Sequence, residues 1–261
     1  MTGATNPLFR RSGVRIWLFR LYLHWYFYRR FHAVRISRSG MPAAAAGRPV
    51  IVYSNHPSWW DPATFILVSP KLFPGRLGFG PIDRKSLGQY RLLERMGAFG
   101  VPQDDPRSGA IFLRTCLALL ARPNAILWIT AEGGFTDPRA RPVALRPGLA
   151  HLARRMPGAL ILPLALEYSF WNESQPEALL RFGPPVEPGG CTTVPQWTER
   201  LEAALTQTMD ALAAESVTRN PGLFHPLLRG GAGVGGIYDW YRRVRALVTR
   251  RRFDPSHEGR Q

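Results

Sequence analysis

Cysteine is nearly absent from this chain: its 261 residues hold two, Cys116 and Cys191, and they form no Cys-x-x-Cys pair. Cys116 falls in an apolar helical run, where a small buried thiol is the expected role. His24, His32, His151, His225 and His257 lack ligand spacing or a neighbouring acid, so no metal site is expected. No serine occupies a Gly-x-Ser-x-Gly elbow, which leaves an acyl-serine intermediate without support. No uncharged apolar stretch approaches the ~18 residues a membrane crossing needs. Internal repeats and extended low-complexity tracts are missing too. Acidic residues are the last scarcity: 18 Asp and Glu stand against 34 Lys and Arg, a formal net charge of +16 carried almost entirely by arginine. Such a balance suits an anionic lipid surface or a nucleic acid, and an arginine-rich genome would leave the same trace.

The placement of the basic residues separates those partners. Residues 16–31 interleave aromatic bulk with arginine, and Arg10, Arg11, Arg15, Arg35 and Arg38 flank them. Tryptophan and tyrosine favour the headgroup level of a bilayer and arginine pairs with anionic headgroups, so the segment reads as interfacial. Arg20 and the Arg29-Arg30 pair interrupt it, which argues against a spanning helix and against a secretory signal. Its helical periodicity is imperfect, so the expectation is a basic aromatic anchor or else an ordinary buried helix, not a clean amphipathic one. Residues 237–248, followed by Arg250, Arg251 and Arg252, read as a second basic helix, a further lipid contact or one docked on the core. Just before it, Gly231-Ala232-Gly233-Val234-Gly235-Gly236 has the spacing of a dinucleotide fingerprint. That reading is rejected because Pro226 to Arg229 is short and proline-started for a preceding strand, and a glycine hinge is expected instead.

Between the ends, 45% hydrophobic side chains and no long linker imply one domain. Candidate strands are 50–54, 77–82, 99–101, 125–130, 159–166 and 179–182; candidate helices are 60–67, 87–96, 108–121, 149–156 and 197–216. This alternation predicts an α/β fold. The expected division is an anchoring helix over 1–40, a domain over 41–222, and a hinge with a basic helix over 223–261.

Residues 55–61 read Asn55-His56-Pro57-Ser58-Trp59-Trp60-Asp61, directly after the apolar run 49–53. A histidine five positions before an aspartate, where a buried strand gives way to a helix, can serve as base and orienter. Neutral imidazole takes a proton from a hydroxyl near pH 7, and a carboxylate on its other nitrogen fixes the tautomer. Taken alone, the same residues also read as a turn, because Asn, His and Asp favour helix starts and Pro57 suits a first turn.

This block resembles the first motif of the lysophosphatidic acid acyltransferase family, in the wider phospholipid and glycerol acyltransferase group. Gly97-Ala98-Phe99-Gly100-Val101, Ala131-Glu132-Gly133-Gly134-Phe135-Thr136 and Ile161-Leu162-Pro163-Leu164-Ala165-Leu166 resemble its later blocks in order and spacing, covering roughly residues 49–185. The resemblance implies a single α/β domain with a mixed central sheet flanked by helices. It also implies transfer of an acyl chain from acyl-CoA or acyl carrier protein, as co-substrate rather than cofactor, to a lipid hydroxyl. His56 would be the general base and Asp61 its partner, with Glu132, Gly133 and Gly134 at the acceptor site. Two departures bear on the acceptor. Where the family has arginines that grip an acceptor phosphate, this chain has Gln103 and Phe135, which puts a simple glycerol phosphate acceptor in doubt. Arg107, Arg139 and Arg141 are the nearby candidates to compensate. The expected location is membrane-associated, at the cytoplasmic face of a bacterial inner membrane, with anionic lipid and no nucleic acid as partner. Two rivals remain open: a binding protein for anionic lipid or RNA, and a hydrolase of acyl thioesters.

Overall fold

A computed structural model describes residues 11–45 and 47–231 of the chain. The described residues form an eight-stranded sheet in the order β4 (Ala98–Val101), β3 (Leu77–Asp83), β5 (Ala125–Thr130), β2 (Val50–Ser54), β6 (Leu160–Ser169), β7 (Glu177–Phe182), β1 (Ala33–Ser37), β8 (Phe224–Arg229). At its centre is β2 (Val50–Ser54), an apolar, β-branched run buried along its whole length. It pairs in parallel with β5 (Ala125–Thr130) and β6 (Leu160–Ser169), Ser54 standing level with Thr130 and Leu164. A continuous apolar run suits such a strand because both of its faces are covered. Ile51 and Tyr53 point into one core with Leu127 and Ile129, while Val50 and Val52 point into the other with Ile126 and Trp128.

Helices supply the two covers. α5 (Ser108–Leu120), α6 (Gly148–Arg155) and α7 (Val194–Ser216) contribute Cys116, Leu119, Leu149, Leu152, Trp197, Leu201 and Leu205 to the first core. α7 begins with a capping box in which Thr193 and Gln196 satisfy each other's backbone N–H groups. α1 (Gly13–Arg30) and α2 (Asp61–Leu72) build the second core with Leu23, Phe27, Phe65 and Val68. On the far side of β5, β3 (Leu77–Asp83) and β4 (Ala98–Val101) extend the sheet in parallel. The single predicted helix over 87–96 is two, α3 (Arg84–Gln89) and α4 (Arg91–Met96), separated at Tyr90. Gly97 closes α4 at a φ of 104°, which a residue with a side chain rarely adopts.

The α/β class and the mixed, helix-flanked sheet stand as expected, but the tripartite division does not. β7 (Glu177–Phe182) runs antiparallel to β6 and is followed across the sheet by β1 (Ala33–Ser37), in parallel, and then by β8 (Phe224–Arg229), antiparallel. Two strands therefore come from the segments assigned to an anchor and a hinge. Arg35 hid β1: a charge in the middle of a strand buried on both sides contradicts the pattern, and it is accommodated by Glu177, whose Oε2 accepts from Arg35 Nε at 2.9 Å. Pro226 led β8 to be dismissed. β8 is the outermost strand and its register with β1 shifts between Val34 and Arg35, opposite Leu228 and Pro226, and an edge with a bulge is where proline is tolerated. The second basic helix and the glycine run from residue 232 onward lie outside the described residues.

Candidate active site

The His56–Asp61 pair sits where β2 ends. Asn55, 1% exposed, is pinned to β6 on both sides of its amide: its Nδ2 donates to the Leu166 carbonyl at 2.9 Å, and the Leu166 N–H donates to Oδ1 at 2.8 Å. This side-chain pairing continues the β2–β6 contact beyond Ser54 and delivers the next residue, His56, to the C-terminal end of the central strand. Five residues after His56, Asp61 and then Pro62 open α2. A carboxylate in the first turn complements the helix's positive end, and a proline there forfeits no helical hydrogen bond.

His56 Nδ1 lies 2.5 Å from Asp61 Oδ2, with the imidazole 15% exposed and the carboxylate fully enclosed. Opposite a carboxylate, Nδ1 carries the proton, and Nε2 is left with the lone pair that a base needs. The Ser58 N–H also reaches Oδ2, at 3.3 Å, and the Tyr168 hydroxyl donates to Oδ1 at 2.8 Å. Burial pushes the Asp61 carboxyl above its ordinary range, and the hydrogen bonds from His56 and Tyr168 oppose that push.

Glu132, just past β5, acts from behind. Its Oε2 accepts the backbone N–H of His56 at 2.7 Å, and the Thr136 N–H donates to the His56 carbonyl at 3.0 Å. The Glu-Gly-Gly turn thereby clamps the main chain that carries the imidazole. Burial raises the Glu132 carboxyl as well, against the His56 hydrogen bond and the nearby Arg141 charge. Gly133 has a φ of 74°, and the side chain of Arg146 lies where its Cβ would stand. Gly134 is exposed, with open space where a Cβ would be.

The arginines offered as replacements for the missing phosphate grip are otherwise engaged or peripheral. Arg139 is held by Asp137 at 2.7 Å, and Arg141 by Asp210 of α7 at 2.5 Å. Arg107 precedes α5 as its cap residue and is exposed. Arg146, which the sequence did not single out, is the arginine packed on the turn itself. Phe135, standing where the family has an arginine, is 67% exposed, and its ring centre is 4.5 Å from that of His56. Trp59, 60% exposed, stacks on Trp60 at 4.6 Å, so exposed aromatic rings come both from beside the imidazole and from its loop.

Two participants escaped the sequence reading. Tyr168 lies beyond the apolar part of β6, and its only signal was a polar end, Glu167-Tyr168-Ser169, on a buried strand. Trp60 was read as a helix start, yet Tyr26, Phe27 and Phe31 pack around its ring at 5.3, 5.2 and 4.9 Å, tying α1 to the loop that presents the pair. Among the described residues no cluster of three His, Cys, Asp or Glu could hold a metal ion. None of their helices is long and apolar enough to cross a membrane.

A family model described as Acyltransferase matches residues 35–167, just over half of the chain. Among solved structures the chain is similar to the 1-acyl-sn-glycerophosphate (LPA) acyltransferase PlsC from Thermotoga maritima, with 15% identity and a TM-score of 0.53 over 77% of this chain and 79% of that one. At that identity the likeness is one of fold. No curated protein matches the chain.

Proposed function

The chain belongs to the acyltransferase family, and from that premise we propose that it moves a fatty acyl group from a coenzyme A or acyl carrier protein thioester to a hydroxyl of a lysophospholipid or related lipid, with His56 as general base. The observation that carries this reading is the 2.5 Å contact between His56 Nδ1 and the enclosed Asp61 carboxylate, on an imidazole that is itself partly exposed. In the proposed step Nε2 removes the acceptor's hydroxyl proton as that oxygen attacks the thioester carbonyl. The carbon–sulfur bond then breaks, and the imidazolium returns the proton to the departing thiolate. Asp61 stabilises the imidazolium, and Glu132 keeps the His56 backbone from shifting as charge develops.

The surroundings favour an acceptor whose reacting hydroxyl has no phosphate monoester beside it. Phe135 offers a ring face where a guanidinium would grip phosphate, and Arg139 and Arg141 already face carboxylates. In this reading the donor and acceptor arrive from a bilayer surface. Val14, Trp17, Leu18, Leu21, Tyr22, Trp25 and Tyr28 form an exposed apolar stripe on α1, and Arg29 and Arg30 lie over the Trp25 and Tyr26 rings at 5.3 and 5.5 Å. The stripe suits the headgroup region and the arginines suit anionic lipid.

The test is transfer of labelled acyl-CoA to a panel of lysophosphatidic acid, lysophospholipid diesters and phosphate-free lipid alcohols. His56→Ala is expected to lose about 10²- to 10⁴-fold in rate while remaining folded. Normal transfer by that variant would remove His56 from the mechanism, and coenzyme A release that needs no acceptor would make the protein a hydrolase.

A further inference from the structure

Asp61 has two oxygens and both are spoken for. Oδ2 accepts from His56 Nδ1 at 2.5 Å, while Oδ1 accepts from the Tyr168 phenol at 2.8 Å. The phenol has one proton and gives it to Asp61, so the Thr64 hydroxyl, 3.1 Å away, donates to the phenol oxygen in turn. A chain of donors thus runs from Thr64 in α2 through Tyr168 in β6 to the far oxygen of the carboxylate.

Its consequence lies at the opposite end, on the imidazole. A fully enclosed carboxylate tends to hold a proton, because desolvation penalises the charged form. A neutral Asp61 would present an O–H to Nδ1, drive the ring N–H to Nε2, and remove the lone pair that base catalysis needs. A donor at Oδ1 disfavours that state, since a hydrogen bond to the charged form stabilises it. Burial and the adjacent Asp61 charge hold the phenol well above its ordinary pKa, so it remains a donor throughout the working range.

We propose that Tyr168 is a positioning residue of the acid–base unit: its hydroxyl keeps Asp61 ionised and turned toward His56, so that Nε2 stays free to accept a proton. The proposal rests on the reading of His56 as the base. Other groups face the pair as well. Glu132, from the loop after β5, approaches both His56 and Asp61, and Arg141 from the same loop acts on Glu132. From α1 and the residue that caps it come apolar rings, Phe27 and Phe31 around Trp60 and Phe31 against Tyr168 at 5.8 Å. That last contact gives the Tyr168 ring a packing role distinct from the role of its hydroxyl.

Tyr168→Phe separates the two, because it removes the oxygen and keeps the ring. The expected result is a kcat lower by about ten- to a hundredfold, the loss of a hydrogen bond to a charged group, with KM for thioester and acceptor unchanged. Without the phenol the carboxylate is more basic and the His56–Asp61 pair holds its proton to higher pH. The acid limb of the kcat/KM profile moves up in pH, and the His56 imidazole titration followed by NMR moves the same way. A wild-type kcat with an unmoved acid limb overturns the proposal. So does a loss of activity that tracks a lower melting temperature while His56 titrates as before, since that is packing alone. His56→Ala measured alongside keeps the failures apart. Loss of transfer there with wild-type behaviour in Tyr168→Phe sinks only the role of Tyr168, whereas normal transfer there sinks the base assignment on which it rests.

Discussion

A single carboxylate at the N-terminus of α2 concentrates the tension between stability and chemistry. Asp61 is 0% exposed, and burial raises its carboxyl above the ordinary range even after His56, Tyr168 and Ser58 have donated to it. An acid whose folded-state pKa is raised favours the folded chain below its unfolded value, and that advantage is lost as pH rises through the folded value. Near neutrality the ionised group therefore costs stability, a cost that the proposed role of Asp61 entails. Asp61→Asn is expected to reduce transfer by about 10³-fold or more, because an amide cannot stabilise the imidazolium, and to raise the melting temperature at pH 7. The rise shrinks as pH falls through the folded-state pKa, where the wild-type group is neutral too. Thermal melts across pH beside rate measurements check this; a variant that melts lower than wild type at pH 7 would show that the carboxylate stabilises the fold on balance. The pairing of His56 with Asp61 was legible in the sequence because both stand in one short segment, five positions apart, where a strand gives way to a helix. Tyr168 was not, because it reaches Asp61 from a strand 107 positions away, and nothing local distinguishes it from any tyrosine at a strand end.

Helix α1 shows why a pattern can be correctly seen and incompletely understood. Its periodicity looked imperfect because it is apolar on two faces at once. Leu23 and Phe27 point into the core at 3% and 0% exposure, while Trp17, Leu21 and Trp25 on the opposite side are half exposed. Two apolar stripes on one cylinder blur each other: the same 18 residues carry the buried face of a core helix and an exposed apolar face opposite it. Substitutions separate the faces. Phe27→Ala is expected to cost about 3–5 kcal/mol of stability, as a buried aromatic does, and to disturb Trp60 on which its ring packs edge-on. The double change Trp17→Ala with Trp25→Ala is expected to leave stability within about 0.5 kcal/mol while weakening sedimentation with anionic vesicles. Unchanged vesicle binding in the double variant would show that the exposed stripe is not the lipid contact.

At the scale of the whole molecule, the central strands were readable because each is a continuous apolar run between turn residues, and β1 and β8 were not because a charge interrupts one and a proline the other. β1 carries Arg35, neutralised by Glu177 on the neighbouring β7, and β8 carries Pro226 at the sheet's edge. Both compensations are long-range, so a local reading sees only the defect. The domain was consequently drawn too small, and the difference is measurable. A chain cut to residues 41–222 lacks Leu23, Phe27, Phe31, Val34, Ile36, Phe224, Leu227 and Leu228, all buried. At about 1.5–3 kcal/mol for each fully buried side chain the loss is roughly 12–24 kcal/mol, as large as or larger than the ~5–15 kcal/mol by which domains of this kind are stable. It also strips β7 of its parallel partner and leaves an apolar strand, Glu177–Phe182, with an open edge. The expected outcome is a cut chain that aggregates, or that melts without a cooperative transition, under conditions where the full chain unfolds in one step. A sharp melt from soluble 41–222, with near-ultraviolet circular dichroism like that of the full chain, would mean that the outer strands are appended to a self-sufficient core rather than part of it.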